Sequence, residues 1–197
     1  MSLPLLASLA WLSAFAAGRA TGHLYAFLGS TALVCMALCF WRAPELRGRV
    51  GGGVVDVVAG LVVGVASLAA TYALFPLVAD IVPSLRDEVR GLYVLAAVSP
   101  ATLVGTVIVA TAEEVIWRGA LLGALKPRFG PLSVVLSAVP YAIAQLGAGS
   151  AWLGLAAFAF GVVWGGLAWW RQSLVASWLA HLCWTPVVLG LRPLVDP

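Results

Sequence analysis

The chain has 197 residues, of which 62% are hydrophobic and 10% charged, with a formal net charge of +3. A soluble domain carries about 25% charged and roughly 45–50% apolar residues, so a water-soluble globule of this size has nowhere to hide so much apolar surface. The long continuous apolar runs exclude a transmembrane β-barrel, whose strands alternate polar and apolar positions. The basic residues sit at the ends of runs, where they orient a membrane protein, and no nucleic-acid partner is expected.

A helical span takes about 20 mainly apolar residues, so the runs predict an all-α polytopic bundle of about seven transmembrane helices, with six to eight as the range. Residues 1–197 read as one integral membrane domain. The first run, Leu3–Ala17, ends in Ala14-Phe15-Ala16-Ala17, which is signal-peptide-like. Met1–Pro4 carries no basic side chain, and a signal peptide has a basic start, so the run reads as a retained span. Leu24–Trp41 and Val54–Ala79 are the second and third spans, separated by a basic loop with Arg42, Arg47 and Arg49. Asp80–Arg90 is a polar stretch expected to lie outside the bilayer. The chain is then apolar from Gly91 to Leu125, too long for one straight span, and Pro100 is the expected break. Pro131–Leu146, Ala151–Trp170 and Ser173–Leu191 complete the seven.

With that count, six basic residues (Arg42, Arg47, Arg49, Lys126, Arg128 and Arg171) fall on one side and four (Arg19, Arg86, Arg90 and Arg192) on the other. The excess predicts a cytoplasmic N-terminus. Gly161 and Gly165 form a GxxxG pair that lets a neighbouring helix approach closely. Cys35, Cys39 and Cys183 are too few for a disulfide framework and read as apolar packing residues. Ten Arg against one Lys, with no Asn, suggests GC-rich bacterial coding and hence the cytoplasmic membrane of a bacterium.

Three charges do not sit where loops belong. Glu113, Glu114 and Arg118 lie in the middle of an apolar helix, where each costs roughly 2.5–3.5 kcal/mol on insertion scales. Glu114 and Arg118 are four apart and can pair along one face. Glu113 points about 100° away, toward a polar cavity between helices. Such a cluster either glues helices together or supplies a carboxylate for acid–base chemistry or transport. Gln145 and His181 fall at similar depth. Counting about 1.5 Å per residue from the Lys126, Pro131 and Ser173 helix ends puts Glu113 about 20 Å, Gln145 about 21 Å and His181 roughly 13 Å along. The three are expected to meet in the middle to outer half of the bilayer.

Glu113-Glu114-Val-Ile-Trp-Arg118-Gly119, Tyr141-Ala-Ile-Ala-Gln145 and His181-Leu-Cys-Trp-Thr185 together resemble the three motifs (EExxxR, FxxxH and HxxxN) of the CAAX-protease and bacteriocin-processing family of intramembrane glutamic proteases, also called the abortive-infection family. The resemblance covers roughly residues 98–190, with 1–97 as accessory spans. It implies that Glu113 deprotonates a water attacking a peptide carbonyl. His181 would bind that water or the oxyanion, and Glu114 with Arg118 would support the helix. Gln145 stands where the family has histidine and Thr185 where it has asparagine. Gln cannot exchange a proton near neutral pH, but its amide can orient water or donate to an oxyanion.

His23 and His181 are the only histidines, too few for a zinc site of ordinary composition. The expectation is therefore a metal-free glutamate mechanism without a cofactor. The resemblance implies a membrane-embedded or lipidated protein tail as partner, within the lipid bilayer. Among the family's branches, the composition and an outer-half pocket fit the sorting proteases, of which myxosortases are the type. Gln145 and Thr185 favour the alternative of a catalytically inactive relative with a binding or bacteriocin-immunity role. A transporter is disfavoured because the chain shows no internal repeat. No sequence signal bears on oligomeric state.

Overall fold

The computed structural model describes residues 3–96 and 99–196, the side chains at 100 and 101 aside. The expected boundary between accessory spans and family core, at residues 97 and 98, lies outside the described residues, as does part of the Met1–Pro4 start. Among the described residues the chain is all helix and turn, with no strand.

Helices α1 (Leu3–Thr21) and α2 (Leu24–Arg42) form a hairpin. Gly22 turns it at φ +75°, a left-handed conformation that glycine adopts without a side-chain clash. A short α3 (Leu46–Arg49) leads into α4 (Val54–Ile81) and α5 (Ser84–Ala96). Next come α6 (Pro100–Glu113), a π-helical segment (Glu114–Leu121) and α7 (Leu122–Phe129). Helix α8 (Leu132–Gln145), α9 (Ala151–Arg171) and α10 (Leu174–Pro186) follow, the last continued by a π segment, Val187–Leu191. The starts of α6, α9 and α10 are capped by Ser99, Ser150 and Ser173, whose hydroxyls each accept a backbone N–H at 3.2 Å, the usual job of serine there.

By length and composition, α1, α2, α4, α9 and Leu174–Leu191 are able to cross a membrane. Leu132–Ala148 is a shorter apolar helix, and 100–129, which carries the buried charges, packs among them. Packing fixes their directions. Helix α8 lies against α9, α1 against α2, α2 along α6, and α4 along α10. Gly60 meets Ala176 and Leu179, while Gly64 meets Ala180 and Cys183, so α4 and α10 run parallel. A Cβ at Gly60 would stand 2.5 Å from the Ala176 carbonyl oxygen, which is why a residue without a side chain is needed there. Gly161 of the predicted close-packing pair faces Ala138 and Tyr141 of α8. Cys35, Cys39 and Cys183 are free thiols, the first two buried.

The basic residues of the α2–α4, α7–α8 and α9–α10 connections gather at one end of the bundle. Arg49 reaches Gly123, Lys126 bonds Gln172, and Arg171 pairs with Asp56 at 2.8 Å. At the opposite end, most of the polar Asp80–Arg90 stretch forms the first half of α5. Arg86 reaches back to Asp80 and Arg90 to Asp87, each at 2.8 Å, while Leu85, Tyr93 and Ala96 are buried. Charges that pair along a helix and an apolar stripe on its other face make an amphipathic helix stable. Glu88 accepts from Ser150 at the start of α9, and Tyr93 donates to the Val188 carbonyl while accepting from the Leu194 N–H, both at 2.9 Å. The helix is thereby strapped across the ends of its neighbours.

Candidate active site

An interior cavity of about 120 Å³ lies between α1, α2, α5, α6, α8, α9 and α10. A single water needs about 10–15 Å³ of such space, so the cavity holds several waters or part of a chain. Its walls are mostly apolar, from Phe15, Leu24, Leu28, Leu92, Leu95 and Phe160 among others. Its polar lining includes Glu113, Gln145, Tyr141, His181 and Thr185.

These side chains come from three helices. Glu113 ends α6 and is 4% exposed. Gln145, at the end of α8, donates its amide to Glu113 Oε1 at 2.5 Å. Tyr141, one turn earlier on the same helix face, donates to Glu113 Oε2 at 3.1 Å. From α10, His181 places Nε2 3.6 Å from Glu113 Oε2, too close for a water between them but close enough for one water on the cavity side to touch both. Its other ring nitrogen, Nδ1, sits 2.8 Å from Glu114 Oε1. A carboxylate at that distance holds a proton on Nδ1 and fixes the ring's orientation. Trp164 of α9 stacks on the same imidazole, centroids 4.3 Å apart, and is itself held by its indole N–H on Ser67. Thr185, one turn beyond His181, lines the cavity with a hydroxyl that has no hydrogen-bond partner.

The expected Glu114–Arg118 pair forms: both are buried and the closest approach is 3.5 Å, although among the described residues neither terminal nitrogen of Arg118 makes a hydrogen bond. The wider i→i+5 turn of the π segment spreads residues four apart. Arg118 also lies over the Tyr141 ring, Cζ 4.2 Å from its centroid, and Glu114 makes its shorter contact with His181. Gly119 within this segment lets Leu46 and Leu174 close in, with 3.0 Å and 3.3 Å separating them from a Cβ there.

Glu113, Gln145 and His181 thus converge, Thr185 joins them at the cavity wall, and Glu114 and Arg118 form the layer behind. Sequence reasoning passed over the Tyr141 hydroxyl and Trp164. Tyr141 carried a usable signal, since it stands four residues before Gln145 and shares its helix face. His23 stands exposed before α2 and is not among the residues lining the cavity. Among the described residues no three His, Cys, Asp or Glu side chains converge as metal ligands. Two carboxylates, one guanidinium and one imidazole share the site, so the cluster is neutral when His181 carries its second proton. Chemically, the arrangement presents a carboxylate with both oxygens held, an imidazole beside it with room for a water on their shared cavity side, and a hydroxyl without a hydrogen-bond partner among the described residues, all facing an apolar chamber.

Residues 95–187 match the family described as type II CAAX prenyl endopeptidase, Rce1-like. No curated protein and no solved structure matches the chain.

Proposed function

With residues 95–187 belonging to the type II CAAX prenyl endopeptidase Rce1-like family, we propose that this membrane protein is an intramembrane endopeptidase of the glutamic type, working without a metal. The supporting observation is the Glu113 carboxylate, held by Gln145 and Tyr141 and set 3.6 Å from His181 on the wall of an apolar cavity. In this reading a water touching Glu113 and His181 from the cavity side gives a proton to Glu113 as its oxygen attacks the scissile carbonyl carbon. His181, protonated on both nitrogens and anchored through Nδ1 to Glu114, donates from Nε2 to the oxyanion, and the Thr185 hydroxyl is a second donor. Glu113 then passes its proton to the departing nitrogen as the C–N bond breaks, leaving a new carboxyl and a new amine terminus. Gln145 is a donor to the carboxylate and carries no proton between groups. Arg118 supplies the countercharge that two buried acids require.

The substrate is a membrane-anchored or lipidated protein tail, whose apolar part the chamber walls accommodate. The cavity reaches toward the end of the bundle away from the basic collar, where α5 and the α8–α9 connection lie. By the positive-inside rule the collar is cytoplasmic, so the N-terminus is too. The cavity then serves the outer leaflet of a bacterial cytoplasmic membrane, which suits the trimming of C-terminal anchors during protein sorting. Residues 1–197 act as one domain in this scheme, with the N-terminal helices as accessory walls.

The test is Glu113→Gln in the native host, with C-termini of membrane proteins read by mass spectrometry. Accumulation of a class of slightly heavier precursors is the expected result. Unchanged processing, with the variant stably inserted, overturns the protease reading and leaves the binding or immunity role that Gln145 and Thr185 favour.

A further inference from the structure

Tyr141 has a place in the site beyond its part as one donor to Glu113. Its ring is 5% exposed, packed against Trp117 with centroids 5.0 Å apart. One face lies under the Arg118 guanidinium at 4.2 Å, while the hydroxyl reaches Glu113 Oε2 at 3.1 Å. Arg118 is 2% exposed, its terminal nitrogens have no hydrogen-bond partner, and its nearest carboxylate oxygen in an ion pair is 3.5 Å away. Buried donors without partners are costly, so the stacking on Tyr141, a desolvated cation–π contact, holds this guanidinium together with the 3.5 Å ion pair to Glu114 and the Trp164 ring 5.7 Å away. A cation on the ring face draws electron density from the phenol, and a poorer phenol is a stronger hydrogen-bond donor. That donor is the group aimed at Glu113.

The oxygens of Glu113 are therefore unequal. Gln145 holds Oε1 directly, whereas Oε2 faces both Tyr141 and the imidazole. Oε2 is the oxygen on whose cavity side the reacting water would sit. We propose that Tyr141 is a positioning residue for the reacting carboxylate, its hydroxyl fixing Oε2 toward that water, and that Arg118 acts on Glu113 through the Tyr141 ring rather than by direct pairing. The inference rests on the protease reading. It assigns to a phenol, from outside the three acid–base positions, a share of the carboxylate's control that an amide at Gln145 supplies alone on the other oxygen.

The experiment uses the full chain in lipid nanodiscs, with the precursor that accumulates under Glu113→Gln as probe. Tyr141→Phe keeps the ring and the Arg118 stack, so the variant is expected to fold, with a thermal midpoint lowered only by the one buried hydrogen bond it loses. Loss of a charge-assisted hydrogen bond is expected to lower kcat about ten- to a hundredfold with KM unchanged. Site-specific 3-fluorotyrosine and 2,3,5-trifluorotyrosine at position 141 then vary phenol acidity at nearly constant shape. A kcat that follows phenol acidity supports the assignment, and packing alone would leave the series flat. Arg118→Met is expected to slow the enzyme more when Tyr141 is intact than once Tyr141→Phe is present, the effect that remains being loss of the countercharge; equal slowing in both backgrounds overturns the route through the ring. A Tyr141→Phe enzyme within twofold of the parent, or a flat fluorotyrosine series, overturns this inference while the Glu113→Gln result stands. Cleavage that survives Glu113→Gln overturns the protease reading first.

Discussion

Helices α1–α5 and helices α6–α10 wall the same cavity with different materials. The first group offers Phe15, Leu24, Leu28, Leu92 and Leu95, with Tyr25 as a polar exception. Tyr25 shares a 2.8 Å hydrogen bond with Thr106. The second group supplies Glu113, Gln145, His181 and Thr185, together with Tyr141. Helix α4 contributes nothing to the lining and instead carries α10 on Gly60 and Gly64. The family match begins at residue 95, close to where this change of material occurs. On the proposed reading the difference separates two tasks: the α6–α10 half would carry the chemistry, and the α1–α5 half would shape what can lie beside it.

That division can be broken experimentally, and the largest effects belong to α6–α10. His181→Ala is expected to lower the cleavage rate about 10³-fold or more, within the range for a lost general acid or oxyanion donor, measured on the accumulated precursor. Glu114→Ala strips His181 of its anchor and Arg118 of its counterion. Breaking a buried charge network costs about 3–5 kcal/mol, and a lowered midpoint in thermal unfolding in detergent checks it. Thr185→Val is expected to cost about tenfold to a hundredfold in kcat with KM unchanged, since the shape is kept and only the unpaired hydroxyl is removed. In the other half, Leu92→Trp is expected to raise KM about tenfold for a bulky tail while kcat holds, as a filled apolar pocket discriminates by roughly 10–200-fold. A fall in kcat with unchanged KM would dissolve the proposed division. The smallest effect is Tyr93→Phe. Burial pushes this phenol above its ordinary pKa, so it stays protonated and able both to donate to Val188 and to accept from Leu194. Its loss is expected to cost about 1 kcal/mol and to quicken hydrogen exchange at Leu194.

The apolar runs announced the traverses because a bilayer demands continuous hydrophobic length, and helix rise alone put Glu113, Gln145 and His181 at comparable depth. What the runs could not carry was anything decided by a neighbouring helix. Amphipathic α5 looked like a polar connection because its charges pair only once it is folded. The i,i+4 spacing of Glu114 and Arg118 foretells the pair that forms at 3.5 Å, but not the shorter contact from His181, 67 residues away, nor the Tyr141 ring beneath the guanidinium. Tyr141 stands where the resembled motif has phenylalanine, and nothing local says that its hydroxyl will meet a carboxylate from another helix.

The wide turn at Glu114–Leu121 also bears on how this helix can vary. Substitutions exchange side chains but leave their angular phase alone, and phase is what this segment supplies. A wide turn takes in one more residue per revolution than a regular one, so removing one residue from Val115–Trp117 and closing the turn into regular helix would leave the helix before it and the helix after it close to their present phase. The residue lost would come from within the segment, and Trp117, packed against Trp11 and Tyr141, is the one the site would miss. This stretch is accordingly a place where the helix can change length by one residue without turning Glu113 away from Tyr141.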